Sequence, residues 1–115
     1  MSIHLKRAYD KPAKSDGMRI LVDRLWPRGL TKEKANIDLW LNDLAPSTEL
    51  RKFFDHDPKK WKAFSTRYQT ELLQHADRLQ LIKDKSKKET VTLIYSARDL
   101  EHNQAVVLKQ FLEKA

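Results

Sequence analysis

The chain has 115 residues, of which 40% are hydrophobic and 34% are charged, and this balance predicts one folded domain rather than a disordered segment. It contains no cysteine, which excludes disulfides, thiolate nucleophiles, iron–sulfur clusters and cysteine-based zinc sites. Its 23 lysines and arginines outnumber the 16 acidic residues, and the resulting formal charge of +7 favours anionic partners such as phosphates, nucleotides or nucleic acid.

Two strands are predicted in the first part of the chain. Residues 3–8 alternate between apolar and polar side chains, which is typical of an edge strand. Residues 11–17 are rich in turn-forming types and predict a loop. The apolar and β-branched run at residues 19–23 predicts a second strand, which ends before Pro27 and Gly29 because both residues interrupt regular structure.

A short helix, a third strand and a second helix are predicted next. Thr31 is placed to cap a helical turn that reaches Lys34, and residues 37–41 alternate as a strand does. Ser47 is the predicted N-cap of the second helix, with Glu49 in its first turn. The residues of this helix that we expect to face inward are Leu50, Phe53 and Phe54.

The second half of the chain predicts a long helix, a strand and a final helix. Asp57 and Pro58 mark the start of the long helix, because Asp accepts hydrogen bonds from free amides and Pro at the first helical position loses no hydrogen bond. One apolar stripe of the long helix comprises Trp61, Phe64, Tyr68, Leu72, Leu79 and Ile82. Residues 83–88 predict a lysine-rich linker, residues 90–95 a buried central strand and residues 100–113 the final helix. The inner face of that helix comprises Ala105, Leu108, Phe111 and Leu112.

This alternation of strands and helices predicts an α/β fold with a small, mostly parallel β-sheet of about four strands flanked by helices. The expected architecture is a Rossmann-like three-layer sandwich, formed by residues 1–115 as one domain. No apolar run approaches the length of a membrane span and no signal-peptide segment is evident, so we expect a cytoplasmic protein with no membrane partner. In such sheets ligands bind beyond the carboxyl ends of the strands. The turns at residues 23–29 and 96–103 are therefore the candidate site.

The first of these turns brings an acid, two guanidinium groups and an aromatic ring into one short loop. Arg24 and Arg28 suit a carboxylate or a phosphate, because a guanidinium offers donors to two oxygens at once. Asp23 is predicted to orient them or to act as a base. The alternative is structural, with Asp23 paired to one arginine and Trp26 closing the rim of the core.

The second turn leads from the central strand into the final helix. Asp99 is predicted to cap that helix, whose free amides form a partial positive pole that also suits an anion. His102 is a candidate general acid or base near neutral pH, with Glu101 as a second proton carrier. The alternative is that Asp99 and Glu101 only stabilise the helix and that His102 is structural. The residues predicted to bind the anion are Arg24, Arg28, Ser96, Arg98 and Asn103, and those predicted to be catalytic are Asp23, Glu101 and His102.

Other patterns carry less functional weight. Asp55, His56 and Asp57 have the side chains of metal ligands, but consecutive residues converge poorly on one ion, so no metal is predicted, and no cofactor is predicted either. Helical spacing assigns Trp61 and Tyr68 to the core rather than to stacked bases. The sequence contains no phosphate-binding loop, dinucleotide fingerprint, zinc-protease motif or nucleophile elbow.

Three strings resemble the YeaO-like branch of domain-of-unknown-function family 488, and the likeness runs essentially end to end. They are residues 17–30 (GMRILVDRLWPRGL), 44–47 (LAPS) and 101–105 (EHNQA). The resemblance implies no established reaction. Wider branches of the family carry an Asp-x-Arg-x-x-Pro type segment, which Asp23, Arg24 and Pro27 resemble, and a late Cys-His-Arg segment, which His102 resembles.

The chain departs from that late segment, because it reads Glu-His-Asn and has no cysteine. The thiol chemistry suspected for relatives therefore does not carry over. Some members of the family are described as transcriptional regulators, but the sequence shows no helix-turn-helix with a basic recognition helix.

These observations favour a site for a phosphorylated or nucleotide-like small molecule, for binding or for catalysis, at the carboxyl edge of the sheet. The alternative is a nucleic-acid-binding module that uses the overall positive charge without catalysis. A third hypothesis, a protein-interaction subunit with an exposed apolar patch, has no positive support in the sequence. The first hypothesis requires that Arg24, Arg28 and His102 point into one cavity.

Overall fold

Four parallel strands form one sheet in the computed structural model, which describes residues 2–114. The strands are β1 (Ile3–Arg7), β2 (Met18–Leu21), β3 (Leu39–Trp40) and β4 (Val91–Tyr95), and their order across the sheet is β1-β4-β2-β3. Leu93 of β4 pairs in register with Leu5 of β1 and with Ile20 of β2. The last strand of the chain therefore lies between the first two, and β1 is an edge strand. The predicted α/β class with a four-stranded parallel sheet is confirmed.

The described residues form five α-helices: α1 (Lys32–Ala35), α2 (Thr48–Phe54), α3 (Trp61–Leu72), α4 (Ala76–Lys88) and α5 (Gln104–Lys114). Short 3₁₀ turns lie at Lys14–Asp16, Asn42–Leu44, Pro58–Lys60 and Leu73–His75. Two predicted caps are confirmed, since the hydroxyls of Thr31 and Ser47 accept hydrogen bonds from the amides of Lys34 and Leu50, each at 3.2 Å. Within residues 2–114, no helix combines the length and the apolar character needed to cross a bilayer.

The two faces of the sheet are covered unequally. Ile20, Leu93 and their neighbours on one face join a large apolar core with buried side chains of α2, α3, α4 and α5. Leu21 and Ile94 point to the other face, where they form a small cluster with Ala8. The partly buried side chains that cover this cluster are Trp26, Leu30 and Ile37. The layer on the second face thus consists of loops and the short α1, and Trp26 packs against the small cluster as part of that layer.

The predicted single long helix is wrong, because the segment forms two helices. α3 ends at Leu72 and α4 begins at Ala76, and His75 between them departs from α-helical geometry with a ψ of 41°. Leu72 and Leu79 are seven residues apart, a spacing that is compatible with a continuous helix and also with an interrupted one. α3 packs against α2 and α5, whereas α4 packs against β4. The two halves of the segment therefore pack against different parts of the fold.

The predicted linker at residues 83–88 is also wrong, because these residues form the end of α4. Ile82 and Ser86 are both buried and lie one helical turn apart, so the helix keeps a buried face through the lysine-rich stretch. The last turn of α4 carries Lys85, Lys87 and Lys88, and positive charge is favourable at the C-terminal end of a helix. The lysines therefore stabilise a helix instead of solvating a loop.

The start of the final helix differs from its prediction. α5 begins at Gln104, and Oδ1 of Asn103 accepts a hydrogen bond from the amide of Val106 at 3.1 Å. Asn103 therefore occupies the capping position that was predicted for Asp99. The carboxylate of Asp99 instead accepts hydrogen bonds from the amides of Glu101 and His102, at 2.9 and 3.0 Å, and closes the turn that precedes the helix.

A buried arginine connects the second face of the sheet to its covering loops. Arg19 is 1% exposed, and its guanidinium donates to the carboxylate of Asp16 at 2.6 Å and to the carbonyls of Ala35 and Asn36 at 2.8 and 3.0 Å. Lys6 also pairs with Asp16, at 3.1 Å. Burial alone would raise the pKa of Asp16, but hydrogen bonds from the amide of Ala13, from Lys6 and from Arg19 outweigh it and lower that pKa.

Candidate functional site

A cleft of about 860 Å³ opens beyond the carboxyl ends of β2 and β4. Its walls include residues 23–28, which follow β2, and residues 96–99 and 102–104, which follow β4. Side chains of α2 and of the turn after it complete the walls. Because β2 and β4 are adjacent and parallel, their carboxyl ends meet at one edge of the sheet, and the two turns predicted to form a site line a single cavity.

Seven of the eight predicted site residues line this cleft. They are Asp23, Arg24, Arg28, Ser96, Arg98, His102 and Asn103. The eighth, Glu101, is exposed and lies outside the residues that line it. The placement of Glu101 separates it from the other proposed proton carriers.

Asp23 lines the cleft and is almost fully buried. Its Oδ2 accepts hydrogen bonds from the amide of Ser96, at 2.9 Å, and from the hydroxyl of the same residue. Its Oδ1 accepts a hydrogen bond from the side-chain amide of Gln104. Burial raises the pKa of the Asp23 carboxyl above its ordinary value, and these hydrogen bonds together with the charge of Arg51 only partly oppose the rise.

The two arginines of the first turn have different surroundings. Nη2 of Arg24 donates to the carbonyls of Ala45 and Pro46, at 3.3 and 3.1 Å, and its buried Nε has no hydrogen-bond partner among the described residues. Arg28 is exposed, and only its backbone carbonyl is engaged, by the hydroxyl of Tyr9 at 2.9 Å. Arg24 therefore holds the loop before α2 in place, while the guanidinium of Arg28 is available to a ligand.

His102 is held in one orientation at the wall of the cleft. Its Nδ1 donates to Oδ2 of Asp99 at 2.9 Å, and its ring contacts the ring of Trp61 edge-on, with centroids 5.1 Å apart. Hydrogen bonds from Glu101 and His102 lower the pKa of Asp99, so this carboxylate is a stable acceptor at neutral pH. The second ring nitrogen of His102 has no hydrogen bond within residues 2–114, which leaves it free for a ligand.

Ser96 and Asn103 are largely committed to bonds inside the protein. Ser96 gives both of its donors to Asp23, as described above, and its carbonyl accepts a hydrogen bond from Arg7 at 3.2 Å. The side-chain nitrogen Nδ2 of the buried Asn103 donates to the carbonyl of Asp99 at 2.9 Å, while its side-chain oxygen Oδ1 caps α5. In this arrangement both residues shape the cleft and offer few donors to an anion.

Comparison with known proteins places the chain in a family. A family model described as "Inactive DUF488-N3 subclade" matches residues 2–115. The chain belongs to the DUF488 family. It is 45% identical over 112 residues to "Uncharacterized protein YeaO" of Escherichia coli K12, a match that covers 97% of each chain. It is 36% identical over 110 residues to "Uncharacterized protein Rv3073c" of Mycobacterium tuberculosis H37Rv, covering 96% of this chain and 92% of the relative. No solved structure matches.

The predicted resemblance to the YeaO-like branch of DUF488 is thus confirmed. The cleft of this DUF488 protein also contains residues that were not predicted from the sequence to belong to a site, and these residues lie outside the three strings that carry the resemblance. Arg51 and Lys52 reach the cleft from α2, and Tyr9 reaches it from the loop after β1. His56 lines it from the turn after α2, where its φ is 54° and that of Asp55 is 46°. Helical periodicity assigns Arg51 and Lys52 to a polar face, but it does not say that this face lies opposite two turns of the sheet.

Proposed function

We propose that the cleft binds a small anion of the phosphate or nucleotide-like class, and that binding rather than catalysis is its function. The observation that carries the proposal is the number of guanidinium groups at the cleft with no partner. Those of Arg28, Arg51 and Arg98 form neither a hydrogen bond nor a salt bridge within residues 2–114. An anion with several oxygens would supply the missing acceptors.

The charge balance of the cleft supports an anionic ligand. Its cationic side chains are Arg24, Arg28, Arg51, Lys52 and Arg98, and its carboxylates are Asp23, Asp55 and Asp99. Two of the three carboxylates, Asp23 and Asp99, already accept three hydrogen bonds each from the protein. Because the cationic side chains outnumber the carboxylates, the positive charge is only partly neutralised from within, and a ligand with negative charge would balance the remainder.

Two observations favour binding over catalysis. Asp23 is buried and its carboxylate already accepts three hydrogen bonds from the protein, so it is poorly placed to accept a proton from a ligand. The family model that matches the chain is described as inactive. His102 remains available at the wall of the cleft as a further hydrogen-bond partner for the anion.

The proposal is tested by ligand-induced thermal stabilisation with inorganic phosphate, pyrophosphate and nucleoside phosphates. We expect stabilisation of the wild type, of about 2.7 kcal/mol when the ligand is present at about 100 times its Kd. The double variant Arg28→Gln, Arg98→Gln should bind at least about tenfold more weakly, because it removes two charge-assisted contacts. The matched control is Arg78→Gln, which removes an exposed arginine that pairs with Asp43.

The proposal fails if no anion of this panel stabilises the wild type, or if the double variant is stabilised as strongly as the control. The nucleic-acid alternative is examined in the same series with single-stranded DNA and RNA. Polynucleotide binding that falls by several decades as salt rises, without any binding of the small anions, would favour that alternative.

A further inference from the structure

We propose that the ligand carries a flat aromatic group beside its anionic group, as a nucleoside monophosphate does, and that Tyr9 and Leu25 contact the face of this group. The inference rests on the proposed function, because it assumes that an anion occupies the cleft. It goes further by assigning two wall residues to a part of the ligand that a free phosphate ion does not have.

The size of the cleft supports a ligand larger than phosphate. A volume of about 860 Å³ lies within the range of roughly 300–1,000 Å³ that is typical of sites for small organic molecules. A water molecule takes up about 30 Å³ of liquid, and a free phosphate ion is only a few water molecules in size. Phosphate alone would therefore leave most of the cleft filled with water.

Two apolar side chains at the cleft are exposed to solvent. Leu25 is 67% exposed and Tyr9 is 44% exposed, although both line a cavity that also contains buried apolar residues. Phe54 and Phe64, which lie deeper, are stacked with ring centroids 4.3 Å apart. Exposed apolar side chains inside a cleft gain free energy when an apolar group of a ligand covers them.

The ring of Tyr9 is held in place before any ligand arrives. Its hydroxyl donates to the carbonyl of Arg28 at 2.9 Å, and the guanidinium of Arg7 lies 5.2 Å from its ring centroid. Arg7 is itself fixed, because it donates to the carbonyl of Ala97 at 2.9 Å. A ring that is already ordered loses little conformational entropy when a second ring stacks on it.

The same hydrogen bond couples the apolar part of the cleft to its charged part. Tyr9 contacts the backbone of Arg28, and Leu25 lies in the same turn as Arg28. An anion bound by the guanidinium of Arg28 would therefore have an aromatic ring and a leucine nearby. This combination suits a molecule in which a planar base and a phosphate are joined by one sugar, because stacking and ion pairing then act together.

The test compares adenosine 5′-monophosphate, ribose 5-phosphate and inorganic phosphate by isothermal titration calorimetry. We expect the nucleotide to bind about tenfold more tightly than ribose 5-phosphate, because only the nucleotide has a base to stack. Leu25→Ala should weaken nucleotide binding severalfold and leave the affinity for ribose 5-phosphate unchanged. Tyr9→Ala should weaken nucleotide binding more than ribose 5-phosphate binding, because it removes the ring and also the hydrogen bond to the carbonyl of Arg28. Tyr9→Phe keeps the ring and should retain most of the preference.

The matched control is Leu73→Ala, which shortens a leucine of 68% exposure outside the cleft and should change no affinity. Equal affinities for the nucleotide and ribose 5-phosphate, or no effect of Leu25→Ala on either, would overturn the inference while leaving the proposed anion site intact. If none of the three ligands binds the wild type, or if only polynucleotides bind, the proposed function and the inference fail together.

Discussion

The carboxylate of Asp23 accepts hydrogen bonds from both the amide and the hydroxyl of Ser96, which lies 73 residues later in the chain. Asp23 follows β2 and Ser96 follows β4, so this pair joins the two turns that form the cleft. The side-chain amide of Gln104 donates to the same carboxylate, and this bond connects α5 to the two turns. One buried acid therefore sets the relative position of three parts of the site.

Asp23→Ala is expected to lower the free energy of unfolding by about 2–3 kcal/mol. The substitution leaves the donors of the partly buried Ser96 and Gln104 without their acceptor. Asp23→Asn retains one oxygen as an acceptor and should cost less. Urea unfolding measures both values, and a change smaller than about 0.5 kcal/mol for the alanine variant would contradict this role of Asp23.

Replacing each of the two glycines by alanine should lower the free energy of unfolding by different amounts. A Cβ at Gly17, whose φ is 65°, would lie 2.1 Å from the carbonyl oxygen of Thr90, whereas a Cβ at Gly29, whose φ is 83°, meets nothing within 4 Å. Gly29→Ala should therefore cost only the strain of a positive φ, about 1–2 kcal/mol. Gly17→Ala should cost distinctly more, because the backbone at Thr90 must move. Denaturant midpoints of the two variants provide the comparison, and equal costs would contradict it.

The lowered pKa of Asp16 predicts a loss of stability in acid. A carboxyl whose pKa is lower in the folded state than the ordinary 3.8 contributes stability above that value and loses it as the pH falls through the folded pKa. The difference in unfolding free energy between the wild type and Asp16→Asn should therefore shrink as the pH is lowered from about 7 to about 2. Denaturant unfolding at a series of pH values measures it. A difference that stays constant would show that Asp16 does not act through its charge.

Asp23 should show the opposite dependence on pH. Burial raises its pKa, so the pH-dependent part of its contribution is fully present below the ordinary value of 3.8 and is lost as the pH rises through the folded pKa, while the hydrogen bonds from Ser96 and Gln104 remain. Nuclear magnetic resonance titration of the two side-chain carboxyls would show Asp16 titrating below 3.8 and Asp23 above it. The reverse order would contradict both assignments.

Arg24→Lys and Arg28→Lys are expected to differ in stability. A lysine at position 24 cannot reproduce the two hydrogen bonds of Nη2 to the carbonyls of Ala45 and Pro46, and about 1 kcal/mol should be lost. Arg28 makes no side-chain bond within the described chain, so its substitution should change stability by less than about 0.5 kcal/mol. Thermal unfolding without ligand separates the two, and equal losses would refute the distinction.

Local signals in the sequence predicted much of this fold because their causes are local. Thr31 and Ser47 cap helices through hydrogen bonds to residues three positions away, and the apolar run that became β4 is buried at every position. The break between α3 and α4 was not predictable in this way. It depends on which neighbours each half packs against, and apolar spacing carries no information about that choice.

The amino-acid order alone established the α/β class, the strands, the starts of α1 and α2 and the two turns in which charged side chains cluster, because these features follow from periodicity and from bonds between near neighbours. It could not distinguish Arg24, which is held by backbone carbonyls, from Arg28, which is not, nor bring Arg51 and Tyr9 to the same cavity. The insertion of β4 between β1 and β2 brings Tyr9, which follows β1, to the turns after β2 and β4, whereas Arg24 and Arg51 take their places through the packing of the loop before α2 and of α2 itself. Contacts of that kind depend on packing in three dimensions, for which no short stretch of residues carries a signal.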